Sequence, residues 1–522
     1  MSLPLRPRAG THSPAATGGR WTLLVVCAAT FMLLVDITIV QVALPTMQRS
    51  LSASFPDLQW VISAYALSLS ALLLTMGSLA DRFGRQRVFV AGIAVFTLSS
   101  LACGMAPSAG VLIAARAVQG IGGAALFATG LSLIGQDFSG RQRATAIALW
   151  GATVGGAVAV GPLLGGVITS SLGWRWIFFV NVPVGVLTAG ISLLRVANVR
   201  DPQATRVDLL GLATFSASLF LLVFGLTEGS SDGWTSPTVL SMLGSAILLM
   251  IAFVLVERAQ RRPMLDLALF RNPSFVGVSL TTFCIGGGMF ALLPFLTLYL
   301  QNYLGLSPLQ GGLRLLPMTL LSFLVPLASR RAVERAAPGR VLALGLLLCA
   351  GGLALMQLIS PGSAWTLLVP GLVVGGLGVG LANPAIARIA LGVVPRERSG
   401  MASGISNTFR TGGLAVGIAA LGALYQQSIA SSLGQSLGHA LPGLAAAVAA
   451  GGVHAVGAHP ALVAAAGTAL TTSTKQLFLI GTVALLAGSA FAVMVRARDF
   501  QRAGVVTETP GRLEVEAEAA SA

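Results

Sequence analysis

Charge is what this chain has least of. Only 9% of its 522 residues are Asp, Glu, Lys or Arg, against roughly a quarter in a soluble domain. Lys475 is the sole lysine, and Thr474 precedes it. A phosphate-binding GxxxxGK(S/T) loop is therefore absent, which argues against a primary ATP-driven pump on this chain. The four cysteines (Cys27, Cys103, Cys284, Cys349) lie in apolar runs without a CxxC pair. They read as small buried hydrophobes, not as a disulfide or metal framework. The four histidines fall in the N-terminal tail and one late loop, so no metal and no cofactor is expected. Two stretches satisfy GxSxG, "GSSDG" (229–233) and "GQSLG" (434–438). Neither turns from a strand into a helix, so no nucleophile elbow and no enzyme is expected.

What the chain does have is apolar residue, 55% of the total, and a mean hydropathy of +0.85. Continuous apolar runs of about 20 residues recur, long enough to cross ~30 Å of hydrocarbon. They do not alternate, so they read as helices and not as barrel strands. The fold class is all-α integral membrane, embedded in a lipid bilayer. Fourteen spans are expected, at about 21–44, 59–79, 88–107, 111–134, 144–168, 176–195, 208–227, 238–257, 274–300, 311–329, 340–359, 365–387, 401–425 and 477–496. The first run follows Arg20 and has no cleavage site behind it, so it reads as a helix and not as a signal peptide.

The net charge of +15 does not point to nucleic acid, because the basic residues sit in short loops without interleaved aromatics. Of 32 Lys and Arg, 26 fall in the tails and in alternate loops. The opposite loops hold only Arg49, Arg175 and Lys475, and Arg116, Arg314 and Arg410 lie inside spans. This bias places both termini, the N-tail 1–20 and the C-tail 497–522, in the cytoplasm of a multi-pass cell-membrane protein. Residues 503–522, ending "EVEAEAASA", read as a disordered tail.

Three short stretches repeat in order. "GSLADR" (77–82) matches "VPLASR" (325–330), "GIGGA" (120–124) matches "GLGVG" (376–380), and "RQR" (141–143) matches "RER" (396–398). The offsets are 248, 256 and 255 residues. Two homologous six-helix bundles are expected, at 21–195 and 274–496, with two inserted helices at 208–257 between them. That is a transporter architecture, with the substrate site between the halves near the midplane. The stretch 426–474 is expected to be a long outer loop that can form a helical hairpin lying on the outer face.

One acid lies well inside a span. "LLVDITIVQVALP" (33–45) holds Asp36 in span 1, about eight residues or ~12 Å from its outer end. Burying a charged Asp costs ~2.5–3.5 kcal/mol on insertion scales, and intramembrane carboxylates default to functional sites. Desolvation disfavours the ionised form, so protonation near neutral pH becomes feasible. A structural hydrogen bond is the competing reading. Arg116 in span 4 lies at comparable depth and would oppose that effect if it touched Asp36. Snorkelling is its alternative. In "GATVGGAVAVGPLLGG" (151–166), four-residue glycine spacing makes a smooth face for close packing, and Pro162 favours a kink.

These stretches resemble the major facilitator superfamily. "GSLADRFGRQR" (77–87) is similar to its loop 2–3 signature and "RAVQGIGGA" (116–124) to its helix 4 signature. "VGPLLGG" (160–166) resembles the helix 5 signature of the export branch. "VDITIVQVALP" (35–45), "WRWIFFVNVPVG" (174–185), "YLQNYLGLSPLQGGLRLLP" (299–317) and "SGMASGISNTFRTGG" (399–413) resemble the fourteen-helix drug:proton antiporter family. That family more often has Leu and Asn where this chain has Val35 and Gln41. The resemblance implies a monomeric proton-driven exporter of hydrophobic, often cationic, antimicrobial compounds. It assigns proton coupling to Asp36 and Arg116, and a cytoplasmic gate to Gly77, Asp81, Arg82, Gly84 and Arg85. It assigns the antiport interface to Gly161, Pro162, Gly165 and Gly166. Gln41 and Arg410, within two of the matching stretches, are candidates for substrate or coupling contacts. Spans 9 to 14 contain no Asp or Glu, which counts against dicationic substrates. Two other readings stay open: an uptake symporter of the same fold, and a membrane sensor or assembly subunit that transports nothing.

Overall fold

The computed structural model of the chain describes residues 15–200, 208–229, 232–260, 263, 265–394, 399–437, 442–457, 459–496 and 499. The N-tail up to residue 14, "RER" (396–398) and the C-tail apart from residue 499 lie outside the described residues. Among the described residues there is no strand, and 14 helices are long and apolar enough to span a membrane. The first six are α1 (Ala15–Leu51), α2 (Phe55–Phe83), α3 (Arg85–Gly104), α4 (Ala109–Asp137), α5 (Gly140–Ser171) and α6 (Trp176–Arg195). Two follow as α7 (Leu209–Glu228) and α8 (Pro237–Ala259). The last six are α9 (Pro273–Tyr303), α10 (Pro308–Arg335), α11 (Pro338–Met356), α12 (Trp365–Gly392), α13 (Ser399–Leu437) and α14 (Pro460–Ala492).

Local chemistry sets several starts. Ser54 and Asp57 form a reciprocal capping box ahead of α2, with Pro56 in its first turn, satisfying orphan donors. Asp208 caps α7 and Ser236 caps α8, the latter followed by Pro237. Other ends differ from the sequence reading. α1 runs seven residues past 44, straight through Pro45. Most of 426–474 is not loop: α13 continues to Leu437, α14 begins at Pro460, and a short helix, Pro442–Gly451, lies between. These segments are rich in alanine, the strongest helix former, so helix persists where hydropathy alone marks no span.

Both sets of six pair their helices alike. In the first, α1 packs on α5, α2 on α4, α3 on α4, and α3 on α6. In the second, α9 packs on α13, α10 on α12, α11 on α12, and α11 on α14. The repeated glycine motif explains two of these pairings. A Cβ on Gly120 would sit 2.5 Å from the Tyr65 carbonyl oxygen of α2, and one on Gly376 would sit 2.6 Å from the Met318 carbonyl oxygen of α10. A Cβ on Gly122 would meet Phe96 N of α3 at 2.6 Å, and one on Gly378 would meet Cys349 N of α11 at 2.5 Å. The motif therefore supplies the same two close approaches in each half, as small residues do between membrane helices.

The halves meet where the second helix of one faces the fifth of the other, α2 on α13 and α5 on α10. α7 and α8 pack on each other, and α7 lies along α2 and α13. There Trp60 meets Phe220 and Phe224 at ring distances of 5.9 and 5.7 Å. At the charge-poor face, which carries Arg49 and Arg175, the halves are closed. Phe55 stacks on Tyr425 at 5.6 Å and leans on Phe295 at 6.2 Å. Gln301 Nε2 donates to the Val42 carbonyl at 2.8 Å. Gln301 and Asn302 lie in a π turn, Tyr299–Tyr303, that ends α9; such bulges often mark functional positions.

The matched glycines generate a prediction. Gly122→Leu and Gly378→Leu should each destabilise the folded chain by about 2 kcal/mol or more through overpacking, and by similar amounts. Unfolding midpoints in detergent check this. Normal midpoints for either variant would contradict the backbone contacts described.

Candidate functional site

Asp36 lies on α1 fifteen residues before its end, not eight, because the helix extends to Leu51. It is 1% exposed, and Arg116 is 1% exposed. The two form an ion pair, Arg116 Nη1 to Asp36 Oδ2, at 2.5 Å. Asp36 Oδ1 accepts from Gln119 Nε2 at 3.0 Å and from Asn181 Nδ2 at 3.1 Å. The carboxylate thus joins α1 to α4 and α6. Arg116 has further partners of its own. Its Nη1 donates to Gln119 Oε1 at 2.7 Å, its Nε to the Val61 carbonyl at 3.2 Å, and its guanidinium lies 4.2 Å from the Tyr65 ring centroid. Asn181 Nδ2 is also 3.0 Å from Ser100 Oγ, which donates to the Phe178 carbonyl. Arg116 is therefore held in the interior and does not snorkel.

Sequence reading singled out Asp36 and Arg116 and passed over Gln119, Asn181 and Tyr65. Two features of the sequence point to these amides. Gln119 follows Arg116 by three positions on a helix, so both project from one face. Asn181 is a lone amide within the apolar stretch "IFFVNVPVG" (177–185). Gln41 is buried but is not among the hydrogen-bond partners of Asp36.

The glycines of α5 pack beside this centre. A Cβ on Gly161 would collide with the Thr38 side chain, two residues beyond Asp36, and one on Gly165 would press on Ile39 backbone atoms at 3.0–3.2 Å. The other face of the same stretch meets the second half. A Cβ on Gly166 would lie 2.8 Å from the Pro308 carbonyl oxygen, and Gly312 of α10 lies against the Pro162 carbonyl. The four residues of this motif thus touch both α1 and α10.

The gate residues lie at the basic face and do not contact Asp36. Arg85 pairs with Asp81 at 3.2 Å and donates to the Ser132 carbonyl at 3.3 Å. Arg82 stacks on Phe83, while nothing crowds Gly77. Gly84 has φ +108°, and a Cβ there would strike Asn198, so only glycine fits this turn without strain. Arg85 N bonds the Val199 carbonyl at 3.2 Å. The turn between α2 and α3 is therefore pinned to α4 and to the segment after α6.

Arg410 stands apart from both groups. It lines a narrow central cavity of ≈ 10 Å³ between the halves, with Leu33, Leu34, Ile37, Leu69, Phe127, Asn407 and Thr411. Ser70 of α2 donates to Thr411 of α13 at 2.6 Å in the cavity wall. No group of three or more His, Cys, Asp or Glu that could hold a metal occurs among the described residues.

Comparison with known proteins agrees with this architecture. The chain is 37% identical over 424 residues to the multidrug resistance protein Stp of Mycobacterium tuberculosis, covering 81% of this chain and 78% of that one. It is 34% identical to the tetracenomycin C resistance and export protein of Streptomyces glaucescens, over 80% and 78% of the two chains. A solved bacterial homologue of the lysosomal transporter Spinster, inward-facing and unoccupied, superposes with a TM-score of 0.63 at 18% identity, covering 95% of this chain and 99% of that one. The family model for the Major Facilitator Superfamily matches residues 26–418, and the chain belongs to that family.

Proposed function

We propose that the chain exports small, largely apolar antimicrobial compounds in exchange for protons, with Asp36 as the proton-carrying group. The observation that carries this reading is the closed charge centre, in which a fully buried carboxylate joins three helices and its arginine has other partners. A proton on Asp36 removes its charge-assisted bonds, which are about twice as strong as neutral ones. Arg116 is not stranded by that change, because Gln119 Oε1, the Val61 carbonyl and the Tyr65 face remain. α1 is then freer to shift against α4 and α6. α5 rides on α1 through Gly161 and Gly165 and touches α10 through Pro162 and Gly166, so such a shift reaches the interface between the halves. Relatives named for drug resistance and export support the outward direction. The basic face is cytoplasmic by the positive-inside rule, both termini with it. A single chain in the cell membrane is the working unit, since its own two halves enclose the cavity.

Three measurements test this. Asp36→Asn should insert and fold but lose dye efflux from vesicles under an imposed pH gradient, while Asp36→Glu keeps part of it. Efflux at the parental rate in the Asn variant, with protein levels matched, would make Asp36 structural. Gly166→Leu should insert normally yet export poorly, because bulk there holds α5 off α10; normal export would reduce the motif to ordinary packing. In a cysteine-free background, Gln435→Cys should react with impermeant thiol reagents outside intact cells, and Val199→Cys only after permeabilisation. The reverse pattern would overturn the assigned orientation.

A further inference from the structure

Three arginines, Arg116, Arg314 and Arg410, lie well away from the ends of their spans, and two of them are compensated. Arg116 has Asp36. Arg314 donates to the Gln310 carbonyl at 3.0 Å and lies 4.7 Å from the Trp365 ring centroid. Arg410 differs from both. Among the described residues it has no carboxylate partner, hydrogen-bond acceptor or aromatic face, and it lines the central cavity. No Asp or Glu occurs in any span of the second half. Asp36 is neighbour to the lining residue Ile37, yet its carboxylate is closed off by Arg116, Gln119 and Asn181.

An uncompensated guanidinium in an apolar interior is costly. Its five donors match the planar oxygens of a carboxylate or the oxygens of a sulfonate. The rest of the wall, including Leu33, Leu69 and Phe127, suits an apolar ring. A cation placed there would meet like charge and no free carboxylate. Resting on the export reading above, we infer that the central cavity selects apolar compounds bearing one anionic oxygen group, with Arg410 as the anion-binding residue. This reverses the charge preference that the family resemblance implies. The room inside, ≈ 10 Å³, is far below the ~300–1,000 Å³ of drug-sized sites, so any compound of this class enters only as the halves part.

The test is equilibrium binding to the purified full chain in detergent at pH 7.5. Three probes of one shape serve: 2-naphthoate, 2-naphthamide and 2-naphthylmethylammonium. The parent should bind the naphthoate about tenfold more tightly than the amide, with the ammonium weakest. Arg410→Gln should bring the naphthoate-to-amide ratio to about one, and Arg410→Lys should retain part of it. Asn407→Asp, which sets a carboxylate three positions before Arg410, should also abolish the ratio while leaving the arginine in place. A parent that prefers the ammonium, fails to bind naphthoate, or yields an Arg410→Gln variant with an unchanged ratio overturns the proposal. Because the readout is binding, the two readings separate. Charge selection without pH-driven efflux would remove the export reading alone, and efflux without charge selection would remove this one alone.

Discussion

A carboxylate buried among apolar helices needs donors around it, and the arrangement of the first half follows from how Asp36 obtains them. Arg116, Gln119 and Asn181 come from two other helices, separated from Asp36 by 80, 83 and 145 residues of sequence. Each brings its helix close to α1. Removing one partner of a buried pair typically costs ~3–5 kcal/mol, because the remaining charge is left alone. Further partners soften that penalty on both sides: the arginine keeps the Gln119 and Val61 oxygens and the Tyr65 ring, and the carboxylate keeps the amides of Gln119 and Asn181.

Close helix approach is the second constraint, and the two halves meet it with the same residues. Gly120 and Gly376 bear on the second helix of their half, and Gly122 and Gly378 on the third. The α5 glycines extend this logic across the boundary. One face of that helix lies on α1 beside the charge centre, and the other lies on α10. Electrostatic change and interface geometry are therefore separated by a single helix diameter.

Much of this was legible in the sequence, and the losses have physical causes. Apolar runs and basic loops marked 14 spans because water and lipid sort residues strongly. The end of α1 was placed before Pro45, yet a proline costs a helix only one bond when neighbouring helices hold it. The beginning of α14 was missed because Pro460–Thr474 is rich in small residues whose hydropathy gives no span signal. Asp36 and Arg116 stood out as charges in an apolar background. Gln119 and Asn181 did not, since a single amide is unremarkable until the fold brings it to a carboxylate. Arg410 stands out in the sequence as a basic residue inside a span and as part of a familiar stretch, but its lack of a counter-ion is a property of the assembled cavity.

The length of α13 has a mechanical meaning. Its 39 residues measure about 58 Å at 1.5 Å per residue, nearly twice the ~30 Å hydrocarbon core. From Arg410, at the central cavity, to Leu437 the helix forms an arm of roughly 40 Å. Each degree by which the second half tilts about that point sweeps the tip through about 0.7 Å over such an arm. A small rotation of the second half at the cavity would therefore appear at the Leu437 end of α13 as a much larger displacement.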